Sequence, residues 1–534
     1  MDEPAITMGS VQNQEVLISN KCGLSARIFS LLFSKEMSDV CLQVGAYRFE
    51  LHKLILSASS DVFKAMLTNQ KWPEAHRQPV VLIEEPQCES VFARFIEYIY
   101  SGELYLSHSS VCPLLTLADK YNVREMIPLC RAYMLDNLDA PIRESCVLQW
   151  LEMAHLRSDT ELEAAIMDFV ECNFGQVIQT PDFMAADVDT VVNLLSSSRL
   201  AVHNETMLLY AAMMWLETFI ESSHLSEDSI KGVFHSVLCH LRWNMLTSDE
   251  IACLKDCPVL RQFLQKYRQY CLPKLFPSYI FQTYCVNDMK FLKTTPIQFK
   301  AEKLLPDPNI IKDSKKNLCL SKISSDHDES KKYHVHPKKT SNIQKRNSKE
   351  ECLPRVYIND YWCTALTISN FHAFPQYGTQ TFLFSTPSMS DSYSGHTMEW
   401  EVEMCPKGVF FPPAVLIGLE RDGNKLVEER SLKTVRLSVM SHSQQELPFK
   451  VEVNVLIQTS SRAEPERTFI ERCISHICIF HSRNQRHNLD NIVPIEQITN
   501  YLRPERSVPS LHLTCSMAFT LYIVIKKIPY AAVT

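Results

Sequence analysis

Glycine is scarce in this chain, with 11 residues among 534. Loops that cradle nucleotide phosphates depend on closely spaced glycines, and neither GxGxxG nor GxxxxGK[ST] occurs. No uninterrupted apolar run approaches the ~20 residues that a membrane-spanning helix needs. The sequence therefore argues against a nucleotide-binding loop of these types and against a membrane span.

A strong charge of one sign and an export signal are also lacking. The formal net charge is −7, which is small for this length and gives no indication of a direct nucleic-acid partner. Residues 1–20 have neither a basic start nor a continuous apolar core, so we expect no secretory signal. The 19 cysteines have no repeating spacing. We expect reduced thiols in a protein that is cytoplasmic, or both cytoplasmic and nuclear.

Motifs of catalysis and metal binding are weak. No Ser–His–Asp or Cys–His pairing has the local signature of a nucleophile. Cys473, His476, Cys478 and His481 are metal-ligand types, but they do not form two pairs separated by a loop. On a strand, Cys473 and His476 would point to opposite faces, so a zinc site is the less favoured alternative. We predict a protein that is not an enzyme, with no cofactor and no bound metal.

The first part of the chain predicts a polar tail over residues 1–24 and an α/β unit over residues 25–138. Alternating apolar residues on both sides of residues 45–46 predict a β-hairpin. Leu54, Ala58, Val62 and Met66 recur every four residues, which is helical spacing and predicts a helix. Residues 80–83 predict a short buried strand.

The rest of the chain divides into three further kinds of pattern. Residues 139–265 carry amphipathic helical stripes with short breaks, which is typical of an all-α domain. Residues 266–304 are an uncertain connector, and 305–350 are too polar to form a core, which predicts a disordered linker. Its basic run, 331–349, is a solvated linker or, alternatively, a nuclear-import or phosphate-binding patch.

Residues 351–534 show alternation with period two. The clearest run is 397–404, where apolar side chains alternate with three glutamates, and several short strands of this kind predict an all-β sandwich. The predicted fold is therefore multidomain α+β: an α/β domain, an all-α domain and a C-terminal β-sandwich.

Four separated motifs carry a family resemblance. Residues 38–42, 49–67, 95–102 and 117–121 resemble, in order, the Asp-Val strand, the His-Lys helix with Ser-x-x-Phe, and the two later helices of the BTB/POZ domain. The helices of 139–265, including Trp150, Trp215 and the segment 238–243, resemble the BACK domain that commonly follows BTB. No kelch period is present. The strand pattern after it resembles the TRAF-like domain of the relatives of BTB/POZ domain-containing protein 17.

The resemblance implies a homodimer through the BTB domain. In such dimers, the acid and base that match Asp39 and Lys53 lie near the subunit interface, where a partly buried pair sets the register. The alternative is a surface ion pair of little consequence for stability. His52, beside Lys53, is expected to be a hydrogen-bonded core histidine.

The resemblance also implies a docking site for cullin-3. BTB proteins that bind it share a hydrophobic-x-Glu pattern, which Trp72, Pro73 and Glu74 match with tryptophan in place of the usual aliphatic residue. Tyr121 matches a cullin-facing tyrosine of that class. A large apolar anchor with one acid is typical of an interface hot spot. The alternative is that Trp72 packs on its own domain.

These features favour a dimeric adaptor that recruits an unknown protein substrate, held by the C-terminal domain, to a cullin-3 RING ubiquitin ligase. A second hypothesis is a BTB-dimerising scaffold or transcription-associated protein that never binds cullin. An enzyme hidden in the β-domain is the third and weakest.

Overall fold

The computed structural model places most of the chain, and its contacts divide into a first unit, Met1–Asn137, and a second unit, Leu138–Thr534. Each unit is described by itself. The described residues are 21–69, 79–139, 142, 145–223, 226–246, 257–267, 269–270, 354–387, 397–411, 431–442, 448–460, 468–481, 485–504 and 516–528. Within these ranges, no helix combines the length and the apolarity needed to cross a membrane.

The first unit is a small mixed sheet with helices packed on it. Its elements are α1 (Lys21–Ser34), β1 (Val40–Val44), β2 (Tyr47–Leu51), α2 (Lys53–Ser59), α3 (Asp61–Thr68), β3 (Val80–Leu82), α4 (Pro86–Ser101), α5 (Val111–Lys120) and α6 (Met126–Asp136). The predicted hairpin is confirmed, because β1 pairs antiparallel with β2 across a two-residue turn. Gly45 in this turn has φ +54°, which suits a residue without Cβ. β3 pairs with β1 in parallel.

The helix predicted from Leu54 and its i+4 partners is two helices, α2 and α3. Ser60 interrupts the helix in an extended conformation, and its hydroxyl accepts a hydrogen bond from the Phe63 amide, so it caps a new helix, α3. The buried faces of the two helices are formed by other residues: Leu54 is 80% exposed, while Leu56 of α2 and Phe63 of α3 are buried. The buried strand predicted over 80–83 also needs a correction. Val81 and Ile83 point to solvent because only alternate residues face the core.

The second unit begins with helices. They are α7 (Val147–Leu156), α8 (Thr160–Cys172), α9 (Phe174–Val177), α10 (Pro181–Ala185), α11 (Val188–Ser196), α12 (Glu205–Ser222), α13 (Glu227–Leu238) and α14 (Pro258–Lys266), with the short strand β4 (Ala201–Val202) before α12. Five helices start at a side chain that accepts a hydrogen bond from a backbone amide three residues on; these caps are Asp159, Thr180, Asp187, Asn204 and Ser226. The breaks that the sequence predicted between helices coincide with several of these caps.

Strands follow from residue 356. They are β5 (Val356–Tyr357), β6 (Cys363–Ile368), β7 (Gln380–Pro387), β8 (Thr397–Cys405), β9 (Val409–Phe410), β10 (Ser431–Leu432), β11 (Arg436–Ser441), β12 (Phe449–Ser460), β13 (Thr468–Phe480), β14 (Arg486–Leu489), β15 (Leu502–Pro504) and β16 (Met517–Ile528). One sheet has the order β14-β11-β8-β7. In the other, β13 pairs with β12, and β16 pairs with β12, β15 and β6.

The two antiparallel sheets enclose one core, which confirms the predicted sandwich. β8 places Met398, Trp400 and Val402 inwards, as its alternation predicted, and β12 faces them with Val451 and Val453. The Trp400 indole donates to the Thr386 hydroxyl at 2.8 Å, so its polar atom is satisfied inside the core.

The helices and the sandwich belong to one compact unit. The strand β4, which precedes α12, pairs in parallel with β5, the first strand after the long undescribed segment. A backbone ladder therefore joins the helical part to the β part, a relationship that the sequence did not reveal. The predicted linker 305–350 and nearly all of the connector 266–304 lie outside the described residues.

Candidate functional site

Tyr121, the predicted docking tyrosine, lies at the C-terminal end of α5 with its ring buried. The side chain is 3% exposed and stacks on Phe63 of α3, with ring centroids 4.4 Å apart. Its hydroxyl donates to Glu84 Oε1 at 2.5 Å, and Lys120 Nζ binds the same oxygen at 2.9 Å. Burial, reinforced by the Glu84 carboxylate, raises the pKa of Tyr121 far above its usual value. The phenol is thus a permanent hydrogen-bond donor that holds Glu84 in place.

The other three predicted docking residues, Trp72, Pro73 and Glu74, lie outside the described residues. The segment that contains them follows α3 in the sequence. Two interactions connect α3 and its N-cap to Tyr121. Phe63 stacks on the ring, and the Ser60 hydroxyl donates to the Tyr121 carbonyl oxygen. A ring that is buried in this way offers a partner little surface. The ring and hydroxyl of Tyr121 hold α3 and Glu84 in place, and the predicted docking contact of Trp72, Glu74 and Tyr121 stays a prediction.

Asp39 and Lys53 meet through the backbone. Asp39 Oδ1 accepts a hydrogen bond from the Lys53 amide at 2.7 Å, so the carboxylate caps the N-terminus of α2. Their predicted place at a dimer interface stays a prediction. His52 is a satisfied core histidine, as predicted: its Nδ1 hydrogen-bonds the Tyr100 hydroxyl at 2.8 Å, and its Nε2 hydrogen-bonds the Glu36 carbonyl at 2.7 Å.

Large apolar side chains near this cap are left exposed by the fold of the first unit. Phe33 is 66% exposed and Met37 is 89% exposed. Leu54, which directly follows Lys53, is 80% exposed. Single exposed apolar residues are ordinary on a protein surface, whereas contiguous apolar patches are typical of interaction surfaces.

The second unit contains a joint between the helices and the outer face of the larger sheet. Core residues of β12 and β16 are odd-numbered, so Asn454, Leu456, Val524 and Lys526 point away from the sandwich core. All four are nevertheless buried. Lys526 Nζ donates to the carbonyl oxygens of Pro354, at 3.2 Å, and Ser198, at 3.5 Å. The chain around Ser198 therefore covers this sheet face.

Asn173 fixes the end of α8 to β13. Its Nδ2 donates to the Ile470 carbonyl at 2.7 Å, and its Oδ1 accepts from the Ile470 amide at 2.8 Å. β13 is an edge strand in the described sheet, so its outer backbone groups need partners. The side-chain amide supplies both, and Phe169 packs edge-on against Phe469 beside it at 5.7 Å.

A buried ion pair lies next to the β4–β5 ladder. Arg355 and Glu205 are both essentially inaccessible, and Arg355 Nε lies 2.7 Å from Glu205 Oε1. The same oxygen accepts from the Tyr357 hydroxyl at 2.9 Å, and Arg355 Nη2 donates to the His240 carbonyl at 2.8 Å. Burial, with the Arg355 charge, lowers the pKa of the neighbouring Arg242 to about 10. Such a cluster is stable only when each charge keeps its partners.

Sequence reasoning did not identify Asn173, Glu205 or Arg355. Glu205 lies in a segment already recognised as the start of a BACK helix, yet its partner is 150 positions away on the far side of the linker. An ionisable residue in an apolar segment was the only available signal, and it carries no information about the partner.

The cysteine and histidine group of β13 is split between two environments. Cys478 is buried in the sandwich core, whereas Cys473 lies on the opposite face of the strand. Among the residues that the structure describes, no group of three or more potential ligands is arranged to hold a metal ion.

Three family models match consecutive stretches of the chain. The BTB/POZ domain model matches residues 29–138, the model described as BTB And C-terminal Kelch matches 147–255, and the BTBD17 TRAF domain model matches 352–529. The chain therefore contains a BTB domain, a BACK domain and a TRAF domain in this order. The predicted resemblances are confirmed.

Among individual proteins, the chain is similar to BTB/POZ domain-containing protein 17. Identity is 25% over 283 residues with the Xenopus laevis protein, covering 52% of this chain and 56% of that one. Identity with the Mus musculus protein is 26% over 276 residues, covering 50% of this chain and 55% of that protein. The chain thus spans about half the length of these curated relatives. Human Kelch repeat and BTB domain-containing protein 2 is 31% identical over 197 residues, covering 36% of this chain and 30% of that protein.

Proposed function

We propose that this chain is a dimeric, non-enzymatic adaptor that recruits target proteins to a cullin-3 RING ubiquitin ligase. The observation that carries the proposal is the order of its domains: a BTB domain, a BACK domain, and a β-sandwich built into the same compact unit as the BACK helices. Similarity to Kelch-like proteins supports the same class.

Docking of cullin-3 would use the segment of sequence after α3 that contains Trp72 and Glu74. Trp72 would be the apolar anchor and Glu74 the polar partner, with Tyr121 fixing α3 and Glu84 from beneath. The stacked Phe63–Tyr121 pair makes this support rigid, and a rigid support reduces the entropy lost on binding.

Dimerisation would cover the apolar side chains that the first unit exposes. Leu54 lies beside Lys53, whose amide Asp39 caps, and Met37 lies two residues before Asp39. Burial of such side chains is the main favourable contribution to a homodimer interface.

Target binding is assigned to the TRAF domain. The joint at Asn173 and at Arg355–Glu205 holds that domain on the BACK helices, so a bound target would have a defined position relative to the BACK domain. Holding target and ligase together raises the local concentration of a target lysine, and the adaptor itself needs no catalytic group. We propose a cytoplasmic location, with or without a nuclear pool.

The test is size-exclusion chromatography of the full chain with purified cullin-3. The wild-type protein should co-elute with cullin-3, and Trp72→Ala and Glu74→Ala should each reduce co-elution. Tyr105→Ala is the matched control, because Tyr105 is an exposed aromatic residue of the same unit outside the proposed docking segment. Undiminished binding by both the Trp72 and the Glu74 variant would exclude this docking site.

A dimer that never binds cullin is the second candidate, and exposed apolar residues of the first unit are compatible with it. Absence of cullin-3 from affinity pull-downs of the wild-type dimer, analysed by mass spectrometry, would favour it.

A further inference from the structure

The segment around β5, residues 354–359, lies on the BACK domain as a bound peptide strand would. The Val356 amide donates to the Leu200 carbonyl at 3.2 Å. Two residues further on, the Ile358 amide donates to the Val202 carbonyl at 2.9 Å. Among the strands that the structure describes, β4 and β5 pair only with each other. The TRAF domain thus completes an edge of the BACK domain, which is the backbone pattern of peptide recognition by strand addition.

Polar side chains on one face of this segment, which we call the β5 segment, bind the BACK domain. Arg355, Tyr357 and Asn359 occupy alternate positions, so an extended backbone directs them to the same side. Arg355 Nε and the Tyr357 hydroxyl both donate to Glu205 Oε1, at 2.7 Å and 2.9 Å. Asn359 Nδ2 donates to the His203 carbonyl at 2.7 Å. Each of the three side chains therefore has its own acceptor in the BACK domain.

The surface that receives the β5 segment would be unfavourable if it were empty. Glu205 is 2% exposed, and its Oε1 would lose the guanidinium and hydroxyl donors. Removal of one partner from a buried ion pair is strongly destabilising. The carbonyl oxygens of Leu200 and Val202, two fully buried residues, would also lose their amide partners. The BACK domain is therefore folded around an occupied groove.

Lys526 of β16 connects the β5 segment to the wall of this groove. Its Nζ donates to the Pro354 carbonyl of the segment at 3.2 Å and to the Ser198 carbonyl, just before β4, at 3.5 Å. The side chain is 3% exposed and also pairs with Glu452 at 3.2 Å. The larger sheet of the sandwich thus holds the segment in place from the TRAF side.

We propose that the BACK domain contains a groove for an extended peptide, which the β5 segment occupies, and that this groove keeps the TRAF domain docked without a covalent connection. The groove consists of β4, Glu205 and the carbonyl oxygens of Ser197 and His240. Its ligand is an extended strand with arginine, tyrosine and asparagine at alternate positions. Residues 271–353 would then not set the distance between the two domains, and a cut within them would leave the TRAF domain in place. This proposal concerns the second unit alone and does not depend on cullin binding.

The experiment introduces a protease recognition sequence between Thr340 and Ser341 of the full-length protein and cleaves the folded protein. Size-exclusion chromatography under native conditions should show the two fragments in one peak, and denaturant should separate them. Hydrogen exchange at the Val356 and Ile358 amides should be as slow in the cleaved protein as in the intact protein, because the ladder with β4 is retained.

Arg355→Ala and Tyr357→Phe test the groove itself in the cleaved protein. Each removes a donor from the buried Glu205 carboxylate, so each should weaken the association of the fragments. For Arg355→Ala, we expect a loss of affinity of about a hundredfold or more. Ile358→Ala is the matched control, because this side chain alternates with the binding face of the same segment and is 37% exposed. It should leave the fragments associated.

The wild-type protein decides the question even if a variant fails to fold. Separation of its fragments on the native column would overturn the proposal, and so would faster exchange of both amides after cleavage. Fragments that stay together equally well in the wild type and in Arg355→Ala would exclude this groove as the docking site.

Discussion

Arg355 and Glu205 lie 150 positions apart and form a fully buried ion pair, with Arg355 Nε 2.7 Å from Glu205 Oε1. Arg355 lies at the start of the TRAF domain, just after the long undescribed segment, and Glu205 is the first residue of the BACK helix α12. The guanidinium also donates to the carbonyl oxygens of Ser197 and His240, so each of its three nitrogens binds the BACK part of the unit. The pair therefore sets how the two domains of the second unit join.

Removing Arg355 should destabilise this joint strongly. Arg355→Ala leaves Glu205 buried without its cation, and loss of one partner of a buried pair typically costs about 3–5 kcal/mol. The free energy of unfolding of the second unit, measured by urea denaturation, should fall by that amount. Arg486→Ala is the control, because its pair with Glu403 is partly exposed and should change the value by less than about 1 kcal/mol. Equal losses would contradict a special role for Arg355.

Replacing Asn173 should loosen the edge strand β13 locally. Asn173→Ala removes both hydrogen bonds to Ile470 and leaves partly buried backbone groups without these partners, at about 1–3 kcal/mol. Hydrogen exchange at the Ile470 amide should become faster by about 5- to 150-fold, since each 1.4 kcal/mol corresponds to a factor of ten. Asn193→Ala, at an exposed position of α11, should leave it unchanged. Unchanged exchange in Asn173→Ala would show that the amide is protected by other contacts.

Stability of the BACK helices should depend on pH through Asp182. This buried carboxyl accepts a hydrogen bond from the Leu148 amide at the start of α7, at 2.6 Å. Burial raises its pKa to about 7 from 3.8, against the effect of that hydrogen bond. Between these values, the folded form is protonated and the unfolded form is ionised, so folding takes up a proton.

The stability contributed by Asp182 is therefore complete below about pH 4 and is lost as the pH rises towards 7, at up to about 1.4 kcal/mol per pH unit. Asp182→Asn keeps an acceptor for the Leu148 amide and does not titrate. From pH 5 to pH 7, the melting temperature of the wild type should fall relative to that of this variant. A difference that stays constant would contradict the raised pKa.

The phenol of Tyr121 should stabilise the first unit. Tyr121→Phe keeps the stacking on Phe63 but leaves the buried Glu84 carboxylate with one hydrogen bond fewer, which we expect to cost about 1–3 kcal/mol. Thermal unfolding of the first unit reports the loss. Tyr105→Phe removes an exposed hydroxyl and should have no measurable effect. A Tyr121→Phe protein as stable as the wild type would mean that Lys120 alone satisfies Glu84.

Exposed Leu54 should matter for self-association rather than for folding. Leu54→Glu adds a charge at a position 80% exposed, so the melting temperature of the monomer should stay within a degree or so. Sedimentation equilibrium should show a weaker dimer, because the charge would lose its water in an apolar interface. Leu129→Glu, on α6, serves as the comparison. Dimerisation that is equally strong in Leu54→Glu would exclude this residue from the interface.

Several elements followed from the sequence because their determinants are local. The β1–β2 hairpin needs only alternation and a glycine turn, and the inward face of β8 follows from period two. The split between α2 and α3 was missed because the four-residue period of Leu54 and its partners continues through Ser60, whose capping role depends on backbone geometry. Tyr121 was recognised by motif, but its burial depends on the packing of α3.

The sequence alone determined the order of the BTB, BACK and TRAF domains, since each is specified by motifs or periodicities within short stretches of chain. Only the tertiary structure decided that the BACK and TRAF domains share one unit, joined by the Arg355–Glu205 ion pair and the Asn173–Ile470 hydrogen bonds. The physical reason is that these interactions connect residues 150 or more positions apart. An ionisable or amide side chain signals a need for a partner, but the partner is chosen by how the sheet and the helices pack.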